Sequence, residues 1–183
     1  MRRRAFFWIP VVILTGLIIF LFCRVLLPSG GGAAPDNLLD SLLNFKCKAT
    51  VSYNGIEADA DIARSLDGST RVTLNSPEAL QGLQFDFSEN GVSLNFKGLK
   101  LDVEPSSFLA SSMASALVNA VDAALRDENL NMKESDGKTE ISSKSGSGNF
   151  VLCLDSKTGV PLSLTVPSLG LDCVFSDYVK GDS

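Results

Sequence analysis

From Phe45 onward the chain keeps a period of two. Phe45, Cys47, Ala49, Val51 and Tyr53 alternate with Lys46, Lys48, Thr50 and Ser52. After Asn54-Gly55, Ile56, Ala58, Ala60 and Ile62 alternate with Glu57, Asp59 and Asp61. Successive strand side chains point to opposite faces, so the pattern predicts two half-buried strands. Asn-Gly tolerates positive φ at both central positions and predicts a tight hairpin between them. On the outer face, lysines of one strand oppose acids of the other, a modest cross-strand attraction. A chain patterned this way folds as antiparallel sheet with one wet face.

The pattern continues. A turn at Leu66-Asp-Gly-Ser69 leads to a strand at 70–75, and Ser76-Pro77-Glu78 interrupts. Leu83, Phe85 and Phe87 begin the next strand, Glu89-Asn90-Gly91 turns it, and Val92, Leu94 and Phe96 follow. After Lys97-Gly98 come Leu99, Leu101 and Val103. These three strands carry large apolar residues on one face.

Two stretches change the period. Leucines at 38, 39, 42 and 43 predict a short helix capped by Asp36 or Asn37. Residues 107–127 hold the one long helix. There Leu109, Met113, Ala116, Leu117, Ala120, Val121, Ala124 and Leu125 form an apolar stripe, with Ser111, Ser112, Ser115 and Asn119 on the other face. Residues 127–138 are polar with a ragged strand near 130–133, and 139–143 is a weak strand. Ser145-Gly-Ser-Gly148 is a turn, and strands at 149–154, 160–166 and 171–175 close the chain. The total is ten or eleven strands with a helix after the sixth.

The N-terminus is of another kind. Arg2, Arg3 and Arg4 precede an uncharged run at 5–22, which Val25, Leu26 and Leu27 extend beyond Arg24. About twenty apolar residues span a bilayer as a helix, with Arg24 snorkelling and Trp8 near the interface. The arginines predict a cytoplasmic N-terminus and place residues 28–183 outside. Cleavage as a signal peptide competes with this anchor, and Leu21-Phe22-Cys23 raises lipidation of Cys23 as a third route to the same compartment. Residues 1–27 are thus the anchor or signal segment, 28–35 a Gly/Ala/Pro linker, and 36–183 the domain.

Charge narrows the partners. Of 16 basic and 21 acidic residues, Arg2, Arg3, Arg4 and Arg24 precede the domain and no acid does. The domain therefore carries 12 positive against 21 negative charges, a net of −9. It is expected to bind no nucleic acid and to be repelled by anionic headgroups. Chemistry is narrowed too. The chain has no histidine, so no serine or cysteine has its usual base and no ordinary zinc set exists. Cys47, Cys153 and Cys173 are expected as free thiols, with one disulfide among them as the alternative. Asp59, Asp61, Asp86, Glu89 and Asp102 fall on wet strand faces. No catalytic residue, metal site or cofactor is predicted, and the chain reads as a binding protein rather than an enzyme.

The order of elements resembles the bacterial lipoprotein-carrier superfamily of LolA, LolB and RseB, over residues 38–178. The hairpin at 45–60 resembles that family's first hairpin. The run Phe150-Val-Leu-Cys-Leu-Asp155-Ser-Lys-Thr-Gly159-Val-Pro161 resembles its hydrophobic-Asp-x-x-Thr-Gly-x-Pro hairpin. The resemblance implies an α+β fold: a curved, unclosed antiparallel half-barrel capped by the long helix and the short N-terminal one. It implies a hydrophobic ligand, whether lipid, acyl chain or lipoprotein, bound in the cell envelope. A curved sheet under a helix can leave an apolar gap, for which Leu83, Phe85, Phe87, Leu94, Phe96, Leu101, Phe108, Met113 and Leu117 are the candidate lining. The same residues also suit a filled core. The alternative function is therefore an envelope interaction or signalling domain with no ligand. The expected location is the bacterial cytoplasmic membrane, single-pass with the domain outside, or secreted or lipid-anchored if the N-terminal segment is processed.

Overall fold

A computed structural model describes residues 38–104, 109–127, 130–145 and 148–181. The spanning segment at 5–27, the linker, the Asp36/Asn37 cap and Phe108 lie outside the described residues. Among the described residues no helix is long and apolar enough to cross a membrane.

Six strands come first: β1 (Phe45–Tyr53), β2 (Ile56–Arg64), β3 (Thr70–Leu74), β4 (Gln84–Ser88), β5 (Gly91–Phe96) and β6 (Leu99–Val103). The helix α1 (Leu109–Arg126) follows. Then come β7 (Asn131–Ser135), β8 (Lys138–Ser145), β9 (Gly148–Asp155), β10 (Pro161–Val166) and β11 (Leu171–Lys180). All eleven strands form one antiparallel sheet in the order β6-β5-β4-β3-β2-β1-β11-β10-β9-β8-β7. The first and last strands pair at its centre, and β6 and β7, the two edges, are joined in sequence through α1. The sheet does not close.

Turn chemistry fixes the registers. Asn54 and Gly55 have φ of 51° and 80°, Lys97 and Gly98 51° and 85°, Asp136 and Gly137 54° and 74°. Positive φ at both positions matches the twist of the flanking strands. The Asn90-Gly91 hairpin is built differently: only Gly91 has positive φ, and it begins β5.

Alternation sorts the two faces as expected. Phe45, Cys47, Ala49, Val51 and Tyr53 are buried, whereas Lys46, Lys48 and Thr50 are exposed. The outer-face attraction is placed differently from the expectation. Lys48 does lie opposite Asp61, but its ammonium pairs with Asp177 at 2.8 Å on the other neighbouring strand. A register shift between Lys46 and Lys48, where β1 meets β11, accompanies that contact.

The helix departs most from expectation. Half of its small polar face is not solvated: Ser111 and Ser115 are buried along with Ala110, Ala114, Ala116, Val118 and Ala120, whereas Ser112 is half-buried and Asn119 exposed. α1 lies on the inner side of the curved sheet, against β8, β9 and the 3-10 turn Leu39–Leu42, and is enclosed on most sides. Small side chains let its backbone approach the strands closely. Leu109, placed in the stripe by periodicity, is instead exposed at the first turn.

The N-terminal helix is reduced to that 3-10 turn, held firmly nonetheless. Ser41 Oγ donates to the carbonyls of Leu38 and Gly159, and the Tyr178 hydroxyl donates to the Ser41 carbonyl at 2.7 Å. Phe45 stacks on the Tyr178 ring at 5.9 Å. In the second half, the polar stretch after α1 is a complete hairpin, β7 to β8, and β11 runs five residues beyond its predicted end at Phe175.

Candidate functional site

The first turns of α1 stand over one end of β1, β2 and β3. Between them lies a cleft of about 240 Å³ lined by Tyr53, Ile56, Ala58, Leu74, Leu80, Leu109, Ala110 and Met113. Its walls come from separate pieces of chain. Tyr53, Ala58 and Leu74 are inward strand positions, Leu80 comes from the 3-10 turn Glu78–Leu80, and Ile56 and Leu109 stand exposed. Tyr53 aside, no lining side chain carries a polar atom. Larger grooves elsewhere, such as one of about 540 Å³ bordered by Lys46, Arg71, Asp86 and Lys100, are lined largely by charged and hydroxyl side chains. Among the described residues the smaller cleft offers a chemically uniform surface for an apolar group.

The candidate lining residues separate into three groups. Leu83, Phe85, Leu94, Met113 and Leu117 are buried in the core, Phe85 and Leu117 almost completely. Phe87 and Phe96 are half-buried against it, and Leu101 is 48% exposed. Met113 alone of the eight described candidates borders the cleft. One row across the sheet explains this division. Ile62, Val72, Phe85, Leu94 and Leu101 are register partners from β2 to β6, and their exposures are 1, 1, 0, 8 and 48%. All face inward. Burial falls away toward the edge of the sheet, and the β5–β6 wing presents Leu99 and Leu101 uncovered.

Sequence reasoning missed a polar contact under the helix. Arg64, at the inward-facing end of β2, has a side chain only 6% exposed. Its Nη2 lies 2.7 Å from Asp122 Oδ1 on α1, and its Nη1 donates to Thr70 Oγ1 at 2.8 Å. Arg126 reaches the other Asp122 oxygen at 3.7 Å. Arg64 Nε has no hydrogen-bond partner among the described residues. The signal was present: Arg64 is in phase with Ala58, Ala60 and Ile62, and Asp122 sits beside Val118 and Val121 on the stripe. Leu80 was missed because a loop carries no periodicity, and Ile56 because its place in the β2 alternation does not distinguish a cleft wall from core.

The three domain cysteines are free. Burial, then the Asp61 carboxylate, pushes the Cys47 thiol up to about 12. Burial also raises Cys173 strongly, and it raises the half-buried Cys153. Among the described residues no group of three or more His, Cys, Asp and Glu side chains is placed to hold a metal ion.

The sequence matches no known family model and no curated protein. The structure is similar to that of an uncharacterized conserved protein from Thermus thermophilus, with a TM-score of 0.51, 12% identity, and coverage of 81% of this chain and 85% of that one. A weaker likeness reaches a LolA superfamily protein from Nitrosomonas europaea, at TM-score 0.42 and 7% identity over 83% of this chain and 96% of that one. The unclosed sheet with a single helix inserted between its edge strands is the arrangement the sequence resemblance implied. MucB is a further neighbour, at TM-score 0.38 and 18% identity over 84% of this chain and 61% of that one. At these identities the likeness concerns the fold alone. Among the described residues the half-barrel is filled at its centre and open at the helix-end cleft and the β5–β6 wing.

Proposed function

We propose that this chain is a membrane-anchored, extracytoplasmic binding domain, without catalysis, that accepts an acyl chain or similar apolar group in the cleft under the first turns of α1. One observation carries the reading: eight side chains from five separate elements converge on a cleft with almost no polar atom in its walls. At about 30 Å³ for a water-sized group, 240 Å³ admits roughly eight methylenes. At ~0.8 kcal/mol each they supply about 6 kcal/mol, a dissociation constant of tens of micromolar before ordering costs. The site suits the end of a chain rather than a whole lipid. The basic, apolar N-terminus supports tethering to the cytoplasmic membrane with the domain outside, and the domain's net negative charge would hold it off the anionic lipid surface.

A second reading has its own support. The completely buried Phe85, Leu152, Leu154 and Leu164 leave the centre of the half-barrel filled, as an interaction domain without ligand would require. Native mass spectrometry of residues 36–183 with fatty acid or phospholipid present separates the two. Bound mass that Leu109→Ser or Ile56→Ser abolishes supports the ligand reading, since both side chains are exposed and dispensable to the core. A clean apo mass under all conditions rejects it in favour of the ligand-free domain.

A further inference from the structure

The two edges of the sheet are unlike each other. β7 is Asn-Met-Lys-Glu-Ser, polar on both faces, with Met132 alone partly covered. β6 is Leu99-Lys100-Leu101-Asp102-Val103, in unbroken register with β5 and without proline or bulge. Leu99 and Leu101 are 60% and 48% exposed on its inner face. Such an edge is a template for another strand, and natural proteins seldom leave one uncovered.

Backbone parity shows which groups are free. Lys97 and Gly98 fill a two-residue turn with both φ positive, so Phe96 and Leu99 form its closing hydrogen-bonded pair. Alternation then aims the N–H and C=O of Leu99, Leu101 and Val103 at β5, and those of Lys100 and Asp102 outward. The two residues with outward backbone groups are the two with opposite charges.

We infer that β6 is a self-association edge, pairing antiparallel with β6 of a second copy of this chain about a two-fold axis at Leu101. In that register Lys100 of each copy faces Asp102 of the other. Both pairs are hydrogen-bonded, giving four backbone bonds and two ion pairs on the outer face. Leu101 meets its symmetry mate across the non-hydrogen-bonded position, and Leu99 meets Val103 on the inner face. Neighbouring registers fail. Centring on Lys100 or Asp102 sets like charges opposite each other, and a one-residue slip puts Leu101 beside Lys100 and inverts the faces. The partner is a second copy because the strand is complementary to itself, as a two-fold interface demands. The inference is independent of the ligand reading and of the cleft.

Sedimentation equilibrium of the full-length chain in density-matched detergent tests it. The expected result is a protein mass twice that of the 19.5 kDa chain. Lys100→Asp and Asp102→Lys should each weaken association about tenfold, by turning two attractive pairs into repulsive ones. The K100D/D102K double variant should restore association, as should an equimolar mixture of the two single variants. Leu101→Cys should give a disulfide-linked dimer on mild oxidation, above the background of the parent cysteines. Circular dichroism confirms that each variant is folded. A monomer at about 100 μM, well above the affinity of a specific dimer, overturns the inference. So does a dimer indifferent to both charge reversals, which would associate through another surface, and so does a mixture that fails to reassociate.

Discussion

Replacing Asp122 by Asn removes a charge and little volume. It leaves the Arg64 guanidinium, 6% exposed, facing a neutral amide where it now has a carboxylate at 2.7 Å. Removing one partner of a buried ion pair costs about 3–5 kcal/mol, because the other charge stays desolvated. Asp122 is itself 26% exposed and shared with the surface residue Arg126, so water replaces part of the lost interaction. The expected cost is therefore at the lower end, about 2–3 kcal/mol, or a fall in melting temperature of roughly 6–12 °C for a domain this size. Replacing both residues by leucine should recover most of that loss, since a buried pair exchanged for apolar packing is often close to neutral. The assay is urea unfolding of residues 36–183 followed by circular dichroism, for parent, D122N and R64L/D122L. A D122N variant within about 0.5 kcal/mol of the parent would refute the view that this pair is desolvated. A double variant as weak as the single would instead show that the pair gains more than its burial costs.

The remaining expectations concern packing, a turn and the thiols. Phe85→Ala should cost about 3–5 kcal/mol, because the ring is fully buried, whereas Leu101→Ala, two strands further out, should stay within about 1 kcal/mol; unfolding midpoints decide. Gly159→Ala combines φ of +70° with a Cβ that would collide with the Leu38 carbonyl oxygen and should loosen the 3-10 turn, with a loss of at least about 2 kcal/mol. Gly55→Ala, at φ +80° with nothing within 4 Å, should cost only about 1 kcal/mol in the same unfolding assay. For the thiols the linkage has a definite sign. The folded-state pKa of Cys47 is raised from 9.0 to about 12, so the unfolded chain loses this proton first as pH rises. Stability from this group is intact below pH 9 and declines between 9 and 12, by about 1.4 kcal/mol per pH unit at most. Unfolding titrations at about pH 8 and about pH 10.5 check it, and thiol reagent at the lower pH should reach Cys153 well before Cys47 or Cys173.

Where the chain buries one face and wets the other, its structure was legible. β1 to β6 follow from alternation and from turns whose residues accept positive φ, and their short connections predict antiparallel pairing. The hairpin of β7 and β8 was not legible by the same means. Lys133, Glu134, Ser135, Lys138 and Glu140 are all exposed, and the inward face is marked only by Met132, Thr139 and Ile141, too few apolar residues to read as a strand pair. The signal that did exist was Asp136-Gly137, the same two-residue turn chemistry as Asn54-Gly55. α1 misled in the opposite direction. Ser111 and Ser115 fall opposite the apolar stripe yet are buried, because periodicity measures side-chain polarity, not the proximity of neighbouring backbone. Inside a concave sheet a small residue is the one that fits.

The candidate site lay beyond the pattern for a related reason. Phe85, Leu94 and Leu101 have one sequence signature, an apolar residue in phase on a strand, and they occupy one row of the sheet. Their environments differ because a single helix, narrower than the sheet is wide, lies nearer β8 and β9 than β6. Whether an inward apolar residue becomes core, cleft wall or open surface is set by its distance from that helix, which is a tertiary quantity. Arg64 and Asp122 make the same point from the polar side. Each is in phase with buried neighbours, and each is tolerable there only because folding brings the other within hydrogen-bonding distance. The pair ties α1 to the end of β2. Its position thereby keeps the middle of the half-barrel filled, confines the apolar opening to the helix's first turns, and leaves the β6 edge uncovered.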